Sequence, residues 1–215
     1  MRVDIWSDVV CPWCYIGKRR FEAALTRLEG LEVEVTYRPF QLDPEAPTES
    51  TMPATEAYSR KFGGLERARE IIDKVTRVAA EDGLDFRLDR AKRANTRSAH
   101  RLLWWALDAG NGVAQGALKE RLLRAYFTEG LDVGDHTVLA VLAGDVGADR
   151  DAATRFLAGD EGVDEVDEQL AVAAGEGITA VPTYVVAETW AIPGAQHPDV
   201  FVTALQRLAD KARAR

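Results

Sequence analysis

The clearest candidates for chemistry in this sequence are two cysteines near its N-terminus. The chain has 215 residues and two cysteines, Cys11 and Cys14, with Pro12 and Trp13 between them. Two cysteines placed at random in a chain of this length would fall at this spacing about once in a hundred times. The pair therefore predicts thiol chemistry, and the elements around it decide what each sulfur does.

The pattern around the pair predicts a different role for each thiol. Proline is favoured at the first position of a helix, because its missing N–H would have no partner there. Cys11 then lies at a helix N-terminus, where free N–H groups and the helix dipole favour a thiolate and lower the pKa. Cys14 lies one turn further along the helix. We therefore expect Cys11 to attack a substrate disulfide and Cys14 to cleave the resulting mixed disulfide.

Two other interpretations of the pair remain open. Half of a zinc site is one, but a structural zinc usually has four cysteine or histidine ligands. The chain has no further cysteine, and its three histidines, His100, His136 and His197, are scattered. We therefore predict no metal site. An incidental pair of reduced cysteines is the other alternative.

Composition and charge narrow the class of protein. Apolar residues make up 47% and charged residues 29% of the chain, as in soluble globular proteins. The net charge is −8, and an acidic chain is a poor binder of nucleic acid. No run approaches the roughly 20 apolar residues that cross a bilayer, and Asp4 and Asp8 interrupt any secretory signal. We expect a cytoplasmic protein with neither nucleic acid nor membrane as partner, where a cysteine pair is catalytic rather than structural.

The apolar patterns at the two ends of the chain predict strands. Residues 3–6 and the alternating residues 33–37 predict two strands around a helix that starts at Pro12 and ends at Gly30. Strands are predicted again over residues 183–187 and 189–192, followed by a helix over 199–212. A β-α-β unit and a β-β-α unit of this kind can form one mixed sheet with helices on its faces.

The middle of the chain carries helical patterns almost without strand signals. Predicted helices cover residues 53–62, 65–82, 96–109, 113–128, 137–144, 149–157 and 163–175. Glycines that are expected to end helices stand at positions 63, 83, 110 and 130. The helical block is then an insertion within the sheet domain.

Four segments resemble the DsbA-like thioredoxin-fold oxidoreductases of the FrnE type, which are related to hydroxychromene-carboxylate isomerases and kappa-class glutathione transferases. Residues 6–17, WSDVVCPWCYIG, resemble the active-site stretch of that family. The other three are residues 95–102 (helical-insertion motif), 177–183 (cis-proline loop) and 194–196 (C-terminal loop). The resemblance implies an α/β thioredoxin fold (β-α-β … β-β-α) with a large all-helical insertion. The implied domains are a thioredoxin-like domain, 1–48 with 160–215, and an inserted helical domain, 49–159.

The resemblance also implies a substrate-binding surface around the cysteines. A cis peptide bond between Val181 and Pro182 would set the Val181 backbone beside Cys11, free to pair with an extended substrate chain. Without the resemblance, a trans proline at the start of a strand is the expectation. The predicted substrate-binding residues are Pro12, Trp13, Val181, Pro182, His100 and Gln196.

Several candidates also have a plain structural interpretation. His100 could be a buried structural histidine rather than a residue that the insertion brings to the cysteines. Gln196 could be a turn residue, and Asn95 or Thr96 a helix N-cap. Asp4 and Asp8 are candidates for the buried acid that aids proton transfer in some thioredoxin-fold enzymes, and equally for an exposed or capping aspartate.

The leading hypothesis is a cytoplasmic thiol–disulfide oxidoreductase that acts on protein or small-molecule disulfides without a bound cofactor. Glutathione is a candidate reductant or co-substrate. The alternative is a glutathione-dependent isomerase or transferase acting on a small aromatic or polyketide-like molecule, although those relatives typically have serine where Cys11 stands. A chaperone-like binding module with an apolar cleft is a third hypothesis. A homodimer is a candidate assembly, without a surface patch that indicates it.

Overall fold

One mixed sheet supports the cysteine pair, and its central strand leads directly into it. The computed structural model describes residues 1–49 and 51–213. Strand β1 (Arg2–Ser7) pairs in parallel with β2 (Glu34–Pro39) and antiparallel with β3 (Thr183–Val186). Strand β4 (Trp190–Pro193) pairs antiparallel with β3, so the order is β2-β1-β3-β4. This confirms the predicted α/β class.

An apolar core joins the sheet to two helices, α1 (Pro12–Leu25) and α9 (Pro198–Arg213). Phe21 of α1, Tyr184 of β3 and Phe201 of α9 form its centre, with ring centroids 4.7 to 5.1 Å apart. Aromatic rings at these separations stabilise one another beyond the apolar area that they bury. The core therefore fixes α1, which begins at the cysteines, against the sheet.

Between β2 and β3 the chain is helical, as predicted. The helices are α2 (Ala54–Phe62), α3 (Leu65–Glu81), α4 (Arg97–Trp105), α5 (Gln115–Arg124), α6 (His136–Asp145), α7 (Arg150–Ala158) and α8 (Val163–Gly175). Helices α2 to α7 share an apolar cluster in which Leu102, Leu118 and Leu139 are inaccessible to solvent. No helix in the described ranges is long and apolar enough to cross a membrane.

Some predicted helix ends are wrong, for local reasons. Helix α1 ends at Leu25 rather than Gly30, because the N–H groups of Arg27 and Leu28 donate to carbonyls three residues earlier, which forms turns instead of a further α-helical turn. The predicted helix 96–109 ends at Trp105, and Gly110 lies inside a short 3-10 helix instead of ending α4.

The second half of the predicted helix 113–128 also differs from a regular α-helix. Helix α5 begins at Gln115 and changes at Ala125 into a π-helical turn, Ala125–Glu129. Gly130 ends that turn with φ 71°, a conformation that glycine adopts without steric cost. Gly63 ends α2 in the same way, as predicted, with φ 85°.

The apolar clusters do not divide at the predicted domain boundaries. Helices α2 to α7 lie between residues 54 and 158, inside the predicted insertion 49–159. Val9, Tyr15 and Ile16, from the predicted thioredoxin-like domain 1–48 with 160–215, nevertheless pack into the cluster of the helical block. The boundaries stay a prediction, and the helical block forms part of the packing around the cysteines.

Candidate active site

The loop between β1 and α1 places the two cysteines on the first turn of α1. Cys11 is the N-cap residue in an extended conformation, and Pro12 is the first helical residue, as predicted. The Cys11 carbonyl accepts from the backbone N–H groups of Cys14 at 3.0 Å and Tyr15 at 3.3 Å. Both cysteines are free thiols, each 3% exposed.

The surroundings of Cys14 keep its thiol protonated. Burial, a hydrogen bond with Cys11 and the negative charge on Cys11 raise the pKa of the Cys14 thiol well above its usual value. The positive charge of Lys119 and a hydrogen bond from the Asp8 backbone oppose this rise. A thiol that keeps its proton suits the resolving role expected of Cys14.

The loop before β3 brings a backbone carbonyl to Cys11. The peptide bond between Val181 and Pro182 is cis, as the resemblance implied. The Cys11 Sγ donates to the Val181 carbonyl at 3.6 Å. Val181 and Pro182, although 170 residues further along the chain, are thus next to the cysteine pair.

Gly17 makes this approach possible. A Cβ at position 17 would lie 2.6 Å from the Tyr184 hydroxyl and 2.9 Å from Pro182 Cγ. Both distances are far below van der Waals contact, so only glycine lets the cis-proline loop pack directly on α1. Gly17 lies in the segment that resembles the family's active-site stretch, but nothing in the local sequence indicates this requirement.

A cavity of about 740 Å³ borders Cys11 and separates the start of α1 from the helical block. Pro12, Trp13 and Val181 line it on the side of the cysteine. Trp13 is 39% exposed, so its ring offers apolar area to a bound molecule. The opposite wall consists mainly of apolar side chains from α2 and α3, and its basic residues are Arg60, Lys61 and Arg93.

His100 lies outside the cavity wall, and it binds the loop that carries the cysteines. Its Nε2 is 3.1 Å from Asp8 Oδ1 and 3.0 Å from the Phe40 carbonyl, two acceptors, so Nε2 carries the proton and donates. Asp8 also accepts from the backbone of Val9 and of Leu42, each at 2.8 Å. Contact of His100 with a substrate stays a prediction that this position does not favour, and the structural interpretation fits its 2% exposure.

His100 and Asp8 are both buried, but the surroundings favour the neutral form of His100 and the ionised form of Asp8. Burial lowers the pKa of His100 more than the hydrogen bond and charge of Asp8 raise it, so the ring is neutral at neutral pH. Burial alone would raise the pKa of Asp8, but the hydrogen bond and charge of His100 and the backbone donor of Leu42 lower it overall. An ionised Asp8 with three donors is a fixed part of the loop.

Hydrogen bonds within the protein account for two of the remaining candidates, Gln196 and Asn95, and the Asn95 Nδ2 also donates to the Ala46 carbonyl at 2.7 Å. Gln196 Nε2 donates to the Pro193 carbonyl at 2.6 Å, and Gln196 does not line the cavity. Thr96 is the N-cap residue of α4 without a side-chain bond, while Asn95 Oδ1 accepts from the Arg97 N–H at 3.0 Å. The turn interpretation of Gln196 and the capping interpretation of Asn95 therefore have direct contacts behind them.

The Asp4 carboxylate is ion-paired with two arginines rather than placed at the thiols. Its carboxylate binds Arg38 at 2.6 Å and Arg2 at 3.0 Å, on β2 and β1. Of the two candidate acids, Asp8 is the one beside the cysteines. Within the described ranges, no group of three or more histidine, cysteine, aspartate or glutamate residues is arranged to hold a metal ion.

Lys119 is a residue that the sequence analysis missed. It is 1% exposed, and burial lowers its pKa to about 8, although the charges of Cys14, Asp8 and Cys11 oppose that fall. The signal was present in the spacing: Gln115, Leu118, Lys119 and Leu122 follow the i, i+3, i+4, i+7 pattern of a buried helix face. A lysine on such a face is an exception that needs an explanation.

The comparison with known families agrees with this geometry. The family description of the DSBA-like thioredoxin domain matches residues 2–206. The chain belongs to this family. The match extends over the strands, the cysteine pair, the helical block and the cis-proline loop, so it confirms the family resemblance and the thioredoxin fold with inserted helices.

Three solved structures show how far the similarity extends. A probable DsbA oxidoreductase, SCO1869 of Streptomyces coelicolor, is 36% identical with a TM-score of 0.87, over 96% of this chain and 89% of that one. A 2-hydroxychromene-2-carboxylate isomerase is 16% identical with a TM-score of 0.71, over 100% and 98% of the chains. The cytosolic disulfide reductase DsbM of Pseudomonas aeruginosa, solved with GSH, is 18% identical with a TM-score of 0.64, over 98% and 100%. The last two similarities concern the fold alone.

Proposed function

We propose that this DSBA-like protein is a thiol–disulfide oxidoreductase in which Cys11 attacks and Cys14 resolves. The observation that carries the proposal is the placement of Cys11 at the N-terminus of α1, beside the cavity and the Val181 carbonyl. Family membership and the 36% identical probable DsbA oxidoreductase support the same chemistry.

The reaction consists of two exchanges. The Cys11 thiolate attacks one sulfur of a substrate disulfide, which forms a mixed disulfide and releases the first substrate thiolate. Cys14 then loses its proton and attacks the Cys11 sulfur, which forms the Cys11–Cys14 disulfide and releases the second thiolate. The substrate gains two electrons and two protons, and an external thiol returns the cysteines to the reduced state.

Substrate binding uses the surface around Cys11. Pro12, Trp13 and Val181 line the cavity, and Pro182 holds the Val181 carbonyl beside the sulfur. A backbone carbonyl at this place suits an extended peptide chain, because main-chain hydrogen bonds do not depend on the substrate sequence. We propose protein or peptide disulfides as substrates. His100 and Gln196 then support the loops around the site and do not contact the substrate.

Turnover of a disulfide substrate tests the proposal. Wild-type protein, Cys11→Ser and Cys14→Ser are assayed for insulin reduction with glutathione as the electron donor, with Glu70→Gln, an exposed position on α3, as control. We expect Cys11→Ser to fall to the uncatalysed rate and Glu70→Gln to match the wild type. Undiminished activity of Cys11→Ser would refute the proposal.

We further propose that the protein works as a reductase in the cytoplasm, with glutathione as the external thiol. The fold similarity to a cytosolic disulfide reductase solved with GSH supports this direction. For glutathione to keep the pair reduced, the reduction potential of Cys11–Cys14 is expected at or slightly above the cytosolic glutathione poise of about −240 mV, and a potential far below it would exclude glutathione as the donor. A potential far above that value would make the protein an oxidant instead.

A glutathione-dependent isomerase or transferase is the second candidate. It is favoured by the apolar walls of the cavity, where Lys61 adds a cation and Arg60 and Arg93 are already ion-paired with Glu56 and Asp43, and by the fold of the isomerase. This reaction needs no resolving thiol. Isomerase turnover of a small aromatic substrate with glutathione, retained in Cys14→Ser, would support it, while the oxidoreductase predicts no such turnover.

A further inference from the structure

Lys119 lies in an enclosed space between α5, α1 and the sheet. One turn earlier on the same face, the Gln115 amide bonds to both the N–H and the carbonyl of Tyr37 in β2. The neighbouring Glu120 binds α1 through the Tyr15 hydroxyl and the Lys18 ammonium, both at 2.8 Å. Contacts on both sides of Lys119 therefore close α5 over its side chain.

The Lys119 ammonium is the buried cation of this space that lacks a direct partner. Among the described residues its Nζ has no hydrogen-bond acceptor, and it lies 5.7 Å from the centroid of the Tyr37 ring. The other buried lysine, Lys18, binds Glu22 at 2.6 Å and Glu120 at 2.8 Å. A buried charge without such pairing is costly, so a lysine kept here needs a reason beyond packing.

Both thiols are among the groups whose charges act on Lys119. The charges of Cys14, Asp8 and Cys11 act on Lys119, in that order of strength, and the charge of Lys119 acts in turn on His100. The titratable and charged groups around its side chain are Cys11, Cys14 and Lys18 on α1, Asp8 in the loop, His100 on α4 and Tyr37 on β2. Asp8 already accepts three hydrogen bonds, and the Cys14 thiol loses Cys11 as its hydrogen-bond partner once Cys11 is bonded to a substrate.

We propose that Lys119 is the buried base that takes the proton of Cys14 when Cys14 resolves the mixed disulfide. The inference rests on the proposed function, since it assigns the proton of its second exchange. Neutral Lys119 removes the proton from the Cys14 thiol and becomes an ammonium. The Cys14 sulfur bonds to the Cys11 sulfur, the bond from Cys11 to the substrate breaks, and the substrate thiolate leaves with a proton from solvent. The ammonium returns its proton to solvent after release.

Formation of the mixed disulfide favours proton transfer from Cys14 to Lys119. Once Cys11 is bonded to the substrate it has no negative charge, so one of the influences that keep Lys119 protonated is gone. When Cys14 ionises, its charge stabilises the new ammonium. Nζ and the Cys14 sulfur are beyond hydrogen-bond distance in the reduced chain, so the proposed transfer requires one water molecule between them or a rotamer change of Lys119.

A single-turnover reaction separates the two exchanges. The reduced protein is mixed with an aromatic disulfide whose thiol product absorbs visible light: the first thiol released reports the attack of Cys11, and the second reports resolution by Cys14. The variants are Lys119→Met, which has similar volume and no charge, and Lys119→Arg, which stays protonated. Cys11→Ser is the control, because the first release persisting there would refute the proposed function and not this inference.

We expect the second release in wild-type protein to accelerate with pH and level off above about 8. In Lys119→Met the second release is slower by roughly tenfold or more at pH 8, and it no longer levels off there. Lys119→Arg does not restore the wild-type profile. Either a Lys119→Met profile equal to the wild type, or full rescue by Lys119→Arg, would overturn the inference. An unchanged far-UV circular dichroism spectrum and a first release within a few-fold of wild type show that the fold is intact.

Discussion

The two thiols on the first turn of α1, Cys11 and Cys14, have different surroundings. Both cysteines are 3% exposed, so exposure does not distinguish them. Cys11 borders the cavity and the Val181 carbonyl, whereas Cys14 is absent from the cavity lining and interacts with Asp8 and Lys119. Three residues along a helix rotate a side chain by about 300° and advance it by about 4.5 Å. The two residues between the cysteines thus keep the sulfurs close, while Cys11 borders the cavity where substrate would bind and Cys14 lies on the interior side.

Enlarging Gly17 is expected to have the largest effect on this arrangement. In Gly17→Val the new side chain collides with Tyr184 and Pro182, so we expect the free energy of unfolding to fall by about 3 kcal/mol. Disulfide reductase activity falls with it, because the cis-proline loop moves away from Cys11. Urea denaturation and the insulin assay measure the two effects.

A second glycine serves as the matched control for this substitution. A Cβ at Gly175, at the end of α8, meets no atom within 4 Å. Gly175→Ala should therefore leave both stability and activity close to the wild type. Equal losses in the two variants would contradict the close approach assigned to Gly17.

The two buried lysines are expected to respond in opposite directions to the same substitution. Lys18→Met removes the ion pairs with Glu22 and Glu120. Glu120 keeps the Tyr15 hydroxyl and Arg19, and both carboxylates have some contact with water, so we expect a loss of about 1 to 2 kcal/mol. Lys119→Met removes an unpaired buried cation, so we expect a gain of about 1 kcal/mol. Denaturant titrations at pH 7 measure both values.

The pH dependence of stability sharpens this contrast. Lys119 has a pKa of about 8 in the folded protein, against about 10.4 in an unfolded chain. Between these values the unfolded state binds more protons, so wild-type stability gains a rising contribution above pH 8. Lys119→Met lacks that contribution. If the two stability curves run parallel between pH 8 and 9.5, the lowered pKa of Lys119 is wrong.

Acid should weaken the loop that holds the cysteines through His100. Because burial lowers the pKa of His100 in the folded protein, its contribution to stability is complete above about pH 6.5 and is lost as the pH falls below that value. In His100→Gln, whose amide can still donate to Asp8, this loss is smaller. His197→Gln, at a side chain 69% exposed, is the control and should follow the wild-type curve.

The smallest effect on activity is expected for Trp13, which lies on the cavity side of the cysteine pair. Trp13→Ala removes apolar area that is 39% exposed and lines the cavity. We expect KM for a peptide disulfide to rise by roughly fivefold, about 1 kcal/mol, with little change in kcat. Trp190→Ala, on β4 and 44% exposed, should leave KM unchanged. A similar rise in both variants would exclude a specific contact at Trp13.

Much of this architecture was predictable from local patterns. The alternation around Val35 and Tyr37 predicted β2, and the Pro12 after Cys11 predicted where α1 begins. The cis bond before Pro182 was not predictable from local chemistry, since most prolines are trans. It followed only from resemblance.

The contacts between distant segments could not be predicted from the sequence. The need for Gly17 depends on Tyr184 and Pro182, which reach α1 only in the folded sheet. The partnership of His100 with Asp8 joins residues 92 positions apart. Lys119 carried a periodic signal, but its neighbourhood with Cys14 depends on how α5 packs on α1.

Trapping the mixed disulfide tests the central claim most directly. Cys14→Ser is incubated with an excess of a peptide disulfide, and the site of the adduct is mapped by mass spectrometry after digestion without reductant. The account predicts a stable adduct of one peptide thiol on Cys11, and no adduct in Cys11→Ser treated in the same way. The absence of an adduct in Cys14→Ser, or equal modification of Cys14 in Cys11→Ser, would contradict it.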